Sequence, residues 1–139
     1  MILVIRISGM VDVPQTVNHL LNNINLRRKY AAILMPETPE NLQLLTHIRS
    51  FVAYGPITNA NLLKLIQLRG ERAENKGKVE DETVVKNLDK KTLREQGMKP
   101  FFRLHPPRKG IESKKHFGVG KGVLGDNKEN INKLLERML

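Results

Sequence analysis

Lysine and arginine are the residues of this chain best placed to do chemistry, and their densest setting is the stretch from Lys99 to Gly125. Seven cations (Lys99, Arg103, Arg108, Lys109, Lys114, Lys115, Lys121) stand there against one acid, Glu112. Side chains of this kind bind polyanions, because each one that neutralises a phosphate releases condensed counterions. Pro106 and Pro107 fix the backbone and send Arg108 and Lys109 off in a set direction, which lowers the entropy cost of holding them against phosphates. His105 and His116 lie among these cations, where an imidazole can hydrogen-bond to phosphate. Only one ring of the adjacent pair Phe101-Phe102 can face outward from a strand, so the pair reads as core rather than as a base-stacking platform.

Other chemistries lack their residues. The chain has no cysteine, which removes disulfides, thiolate metal sites and thiol nucleophiles. His19, His47, His105 and His116 include no pair at the i, i+3 or i+4 spacing of helical metal ligands. Gly120, Gly122 and Gly125 spell GxGxxG, but only 14 residues follow, too few for the rest of a dinucleotide-binding βαβ unit. A Walker A reading fails at Gly122, which stands where Ser or Thr is required. The carboxylates of Glu71 to Glu82 sit beside their own lysines as a solvated charge run, and Ser8, Ser50 and Ser113 have no nucleophile motif around them. We read a non-enzyme with no cofactor, no metal and no small-molecule substrate.

The elements that must position the cations are legible in the apolar pattern. Ile2 to Ser8 reads as a strand with Leu3, Ile5 and Ile7 on one face and an opposite face that turns polar at Arg6 and Ser8. Asp12 and Gln15 have capping-box spacing before an amphipathic helix carrying Val17, Leu20, Leu21 and Ile24. Tyr30 to Met35 is a second strand, and Thr38-Pro39 opens a helix whose Leu45, Ile48 and Val52 form one stripe. A short third strand near Phe51 to Ile57 follows, and a third helix runs from Thr58 to Gly70. This order predicts an α+β, ferredoxin-like β-α-β-α-β core over residues 1–60, with both helices on one face of a small sheet. The extension divides into a helical segment 61–98, a basic loop 99–125 that is poorly ordered on its own, and a terminal amphipathic helix 126–139 opened by Asp126 and Glu129.

Charge follows the same division. The formal net charge is +10, of which residues 99–139 hold +6, with ten cations against four acids. Apolar residues make up 40%, too many for a disordered polycation, and the longest apolar run, Tyr30 to Met35, is far too short to cross a membrane. Met1 to Ile5 meets Arg6 at once and lacks the basic start of a signal peptide, so a soluble protein is expected.

At Lys99 to Gly110, read as KPFFRLHPPRKG, the chain resembles the archaeal and eukaryotic branch of the universal large-subunit ribosomal protein family numbered thirty, whose eukaryotic counterpart is numbered seven. The resemblance extends to Ile2–Gly9, Leu34–Pro39, Val52–Gly55, Leu68–Gly70 and Ile131–Leu135, and the lack of a long basic N-terminal extension favours the archaeal type. It implies a structural constituent of the large ribosomal subunit, located in the cytoplasm and bound to large-subunit rRNA close to the 5S rRNA and to neighbouring ribosomal proteins. The expected rRNA contacts are Arg6, Arg27, Arg28, Lys29, Arg69, Arg72, Lys99, Arg103, His105, Arg108, Lys109, Lys114, Lys115, His116 and Lys121. The competing reading is a free-standing DNA- or RNA-binding regulatory module with the helix at 59–69 as reader, although no helix-turn-helix precedes it.

Overall fold

Strand β1 (Ile2–Arg6) reads ILVIR, and all five residues are buried. Side chains alternate across the pleat, so Leu3 and Ile5 load one face while Ile2 and Val4 load the other. A strand apolar on both faces must be covered on both sides. The expectation that the face opposite Leu3 turns to solvent is therefore corrected, since Arg6 itself is fully buried.

The structure is a computed structural model describing residues 2–9, 13–69, 101–108, 110, 112–116, 118 and 122–138. After β1 come α1 (Gln15–Asn23), β2 (Ala31–Met35), α2 (Pro39–Ile48), β3 (Val52–Pro56) and α3 (Asn59–Arg69). The later elements are β4 (Phe102–Arg103), β5 (Glu112–His116), β6 (Gly122–Asp126), a 3₁₀ turn (Lys128–Asn130) and α4 (Ile131–Met138). They build one six-stranded mixed sheet in the order β4-β2-β1-β3-β6-β5. β1 is antiparallel to both β2 and β3, β4 is antiparallel to β2, and β6 is parallel to β3. β5 joins the outer side of β6 in irregular register.

Helices α1 and α2 share one face, as the ferredoxin-like reading expects: Leu21, Leu45 and Ile48 pack against Ile2, Val4, Ile33 and Val52. Val52 is not on the α2 stripe; it opens β3 and reaches the same core from the sheet. The second face carries α3 and α4, whose Leu65, Ile66, Ile131 and Leu135 cover Leu3, Ile5, Ala32 and Ala53. Each such leucine or isoleucine, fully buried, contributes roughly 1.5–3 kcal/mol relative to exposure.

Local signals set most boundaries. Thr38 Oγ1 accepts from the Asn41 amide at 3.3 Å with Pro39 in the first turn, and Thr58 Oγ1 accepts from the Asn61 amide at 3.4 Å. Two expected caps fall elsewhere. Pro14 occupies the N-cap of α1 with no side-chain cap, and Asp12 lies outside the described residues. Asp126 caps the 3₁₀ turn through the Lys128 amide at 2.9 Å, and α4 starts only at Ile131. Residues 106–125, expected as a loop, contain β5 and the start of β6. The segment 71–98 lies outside the described residues.

Arg6 ends β1 and is the largest side chain in the fully buried set. Its guanidinium donates to the carbonyls of Leu26 (2.7 Å), Ser8 (2.9 Å) and Gly9 (3.1 Å) and to Asn18 Oδ1 of α1 (3.1 Å). Burial alone lowers its pKa from the ordinary guanidinium value, and these acceptors offset the cost of burying the charge. Its own carbonyl accepts from the Tyr30 amide at 2.7 Å.

Two outcomes follow for denaturation experiments. Gly55 lies under the 3₁₀ turn, and a Cβ there would stand 2.4 Å from the Lys128 carbonyl oxygen. Gly55→Ala is expected to cost about 1–3 kcal/mol by forcing the turn and α4 off β3. Gly9→Ala, with open space around it, should change stability by no more than about 0.5 kcal/mol. Arg6→Met is expected to cost about 2–4 kcal/mol because buried carbonyls lose their donors, and Arg6→Lys should not restore it, since an ammonium cannot span four acceptors.

Candidate nucleic-acid interface

The turn between α1 and β2 carries three consecutive exposed cations, Arg27, Arg28 and Lys29. Its path is set by the end of α1. Asn25 has a positive φ of 67°, its amide donates to the Asn22 carbonyl, and the Leu26 amide donates to the Leu21 carbonyl at 2.8 Å. This is a Schellman closure, completed by contact between buried Leu21 and buried Leu26. Arg6 then holds the Leu26 carbonyl from below, so the three cations leave a fixed base.

Strand β4 lies directly against this turn although more than 70 residues of chain separate them. Arg103 is paired with Ala31, and the Leu104 amide donates to the Tyr30 carbonyl at 3.1 Å. The ring pair is divided between the two cores. Phe102 is buried under α3 and α4, while Phe101 packs half-buried against the α1 and α2 core. Arg103 is exposed and lies over the Phe101 ring at 5.8 Å, and Lys29 lies over Tyr30 at 5.1 Å. At exposed sites such contacts are worth about 0.5–1 kcal/mol, enough to bias where the charged head sits.

The following HPPR segment is seated on the end of α4. The last carbonyls of a helix have no partner within it. Here the His105 amide donates to the Met138 carbonyl at 2.9 Å and the Arg108 amide to the Arg137 carbonyl at 3.1 Å. The Arg137 side chain donates in return to the carbonyls of Arg108 (Nε, 2.9 Å) and Gly110 (Nη2). Pro107 is buried, whereas the side chains of His105 and Arg108 are exposed.

Among the expected contacts, Arg27, Arg28, Lys29, Arg103, His105 and Arg108 are thus gathered on exposed surface along one sheet edge and its continuation. Lys114, Lys115 and His116 belong to β5 at the opposite edge, five strand spacings or about 24 Å away. Arg69 is the last residue of α3, and Arg72, Lys99, Lys109 and Lys121 lie outside the described residues. Arg6 is a correction: its guanidinium is inside the protein and committed to four protein acceptors, so it supports the basic turn and presents no charge to a ligand. Helix α3, the alternative reader, exposes Lys64 and Gln67 beside Leu68, which is 65% exposed. Gly122 and Gly125 of the GxGxxG string are buried within β6, a strand rather than a phosphate loop.

Sequence reasoning did not single out Arg137 or Asn132. Asn132 of α4 accepts from the Thr58 amide (3.0 Å) and Asn61 Nδ2 (3.1 Å), and donates to the carbonyls of Pro56 and Glu129, tying α3 to the end of β3. No spacing rule links a terminal-helix residue to such distant partners; a cation in the last turn signals only the helix dipole.

The described residues that build the β4 edge, 13–36, 101–108 and 110, contain no Asp or Glu. Among the described residues no cluster of three or more His, Asp or Glu side chains could hold a metal, and no helix is long and apolar enough to cross a membrane. What remains is a rigid, exposed row of cations suited to an extended anion.

No protein-family model matches the chain. The large ribosomal subunit protein uL30 of Methanosphaera stadtmanae is 35% identical over 150 residues, with 98% of each chain covered. The protein of the same name from Archaeoglobus fulgidus is 35% identical with 99% of each chain covered, and that of Methanobrevibacter smithii is 35% identical with full coverage of both. At this identity over the whole length, the chain belongs to the uL30 family of large ribosomal subunit proteins, in its archaeal form.

Proposed function

We propose that this protein is a structural constituent of the large ribosomal subunit in the cytoplasm, and that it binds large-subunit rRNA near the 5S rRNA through contacts to phosphates. The observation that carries the proposal is the edge on which the turn of Arg27, Arg28 and Lys29 runs into β2 beside Arg103 of β4, with no Asp or Glu among the described residues that build it. Hydrogen bonds to base edges are not needed for such binding; cations on a stiff frame suffice to follow a backbone. Few ordered elements would have to move, because turn, strand and HPPR segment are each fixed by main-chain hydrogen bonds. Neighbouring ribosomal proteins would then meet surfaces away from this edge.

If roughly six to eight phosphates are neutralised, a plot of log affinity for large-subunit rRNA against log salt should have a slope of about −4 to −7. A flat dependence would sink the mechanism. The pair Arg28→Ala and Arg103→Ala should reduce the steepness by about 1.5–2, with the thermal midpoint lowered by no more than about 4 °C, the loss of the exposed Arg103–Phe101 contact. Loss of thermal stability with an unchanged slope would mean that these residues serve packing instead. Co-sedimentation provides an independent check: the protein should travel with large subunits, and its confinement to free fractions would favour a regulatory role.

A further inference from the structure

We propose that Arg137, in the last turn of α4, is a positioning residue for RNA binding: it sets the path of the HPPR turn, and hence the place of Arg108, rather than contacting phosphate itself. The inference rests on the rRNA reading above. Four hydrogen bonds run between the two segments, and they are reciprocal. Amides of His105 and Arg108 donate to the helix-end carbonyls of Met138 and Arg137, while Arg137 Nε and Nη2 donate to the carbonyls of Arg108 and Gly110. Within the turn, the Gly110 amide donates to the Pro107 carbonyl at 3.2 Å, and Gly110 has a φ of 71°. The turn thus closes around Arg108: the main-chain carbonyl of Arg137 accepts from the Arg108 amide, and the guanidinium holds the carbonyls of Arg108 and Gly110 that follow it.

The chemistry explains why the residue is arginine. A planar guanidinium satisfies two carbonyls at fixed separation with two parallel N–H groups, whereas a lysine ammonium, a point donor on a shorter stem, lacks that preset fork geometry. Arg137 is half-buried, whereas Arg108 is exposed and its side chain makes none of these four bonds. One residue is thus built to hold the turn and the other to use it. The terminal helix thereby links the second core, through Leu134, Leu135 and Met138, to the geometry of the basic surface.

The test uses the full chain and large-subunit rRNA at one fixed salt concentration, with Arg137→Ala, Arg137→Lys, Arg108→Ala and the Arg137→Ala/Arg108→Ala pair. Arg137→Ala should weaken binding about five- to tenfold, and Arg137→Lys nearly as much despite keeping its charge. In the pair, removing Arg137 should add less than about twofold to the loss caused by Arg108→Ala, because displaced Arg108 is the source of the defect. Without RNA, the Arg108 amide of Arg137→Ala should exchange its hydrogen faster than in the unaltered protein. Full binding by Arg137→Lys, additive losses in the pair, or unchanged exchange at Arg108 would each overturn the proposal. Failure of the parent reading looks different: the unaltered protein would bind without salt dependence, or Arg108→Ala would bind as well as it does, and the proposal would fall with it.

Discussion

A guanidinium inside the protein, at the end of the central strand, sets the arrangement of the basic surface. Arg6 terminates β1, and from there its donors reach α1 through Asn18, the exit of the strand through Ser8 and Gly9, and the α1–β2 turn through Leu26. Its carbonyl receives the Tyr30 amide at the other end of the same turn. Three consecutive cations repel one another and have little reason to share a short turn in water. They can do so here because both ends of the turn are tied to a buried group whose own charge is met by four protein acceptors. Arg6 thus serves the exposed cations without joining them.

The sheet converts that local device into a surface. β1 and β2 are buried on both faces, so functional side chains are left with edges and turns. β4 is a two-residue edge strand, and its Arg103 with the following His105 and paired prolines are what a natural edge uses to prevent pairing with another chain. The same residues present positive charge beside Arg27 to Lys29. Protection of the edge and attraction of a polyanion are therefore met by one set of side chains. On the far side, Gly55 lets the Lys128 backbone approach β3, and this close contact seats α4 where its last turn can hold the HPPR segment.

Much of this was legible in the chain itself. The 3.6-residue period of α1 and α4, the Thr38-Pro39 start and the apolar strands all appear in the structure, because each is decided by local chemistry and one buried stripe. Phe101 and Phe102 obey alternation, although the outward ring meets the α1–α2 core instead of solvent. That a core forms on each face of the sheet is not legible in the pattern. Leu3, Ile5 and Ile7 announced one buried face, but Ile2 and Val4 were too short a run to announce the other once Arg6 suggested a polar end. Arg6 misled for a physical reason: a buried arginine and an exposed one have the same spelling, and only the acceptors supplied by Leu26 and Asn18, distant in sequence, separate them. β6 is obscured in the same way, since a strand with two glycines owes its form to partners such as Ala53 rather than to its own propensity, and β5, a charged ESKKH run, owes its form to β6.

The central claim is that the β4 edge, with the Arg27–Lys29 turn and the HPPR segment, is the face that meets rRNA. Electron cryo-microscopy of assembled large subunits containing this protein tests it most directly. The account predicts Arg28, Arg103 and Arg108 within hydrogen-bonding distance of phosphate oxygens, with Arg6 still enclosed by its four protein acceptors. An rRNA contact made instead by the exposed side of α2, with the β4 edge left to solvent or covered by another protein, would contradict it.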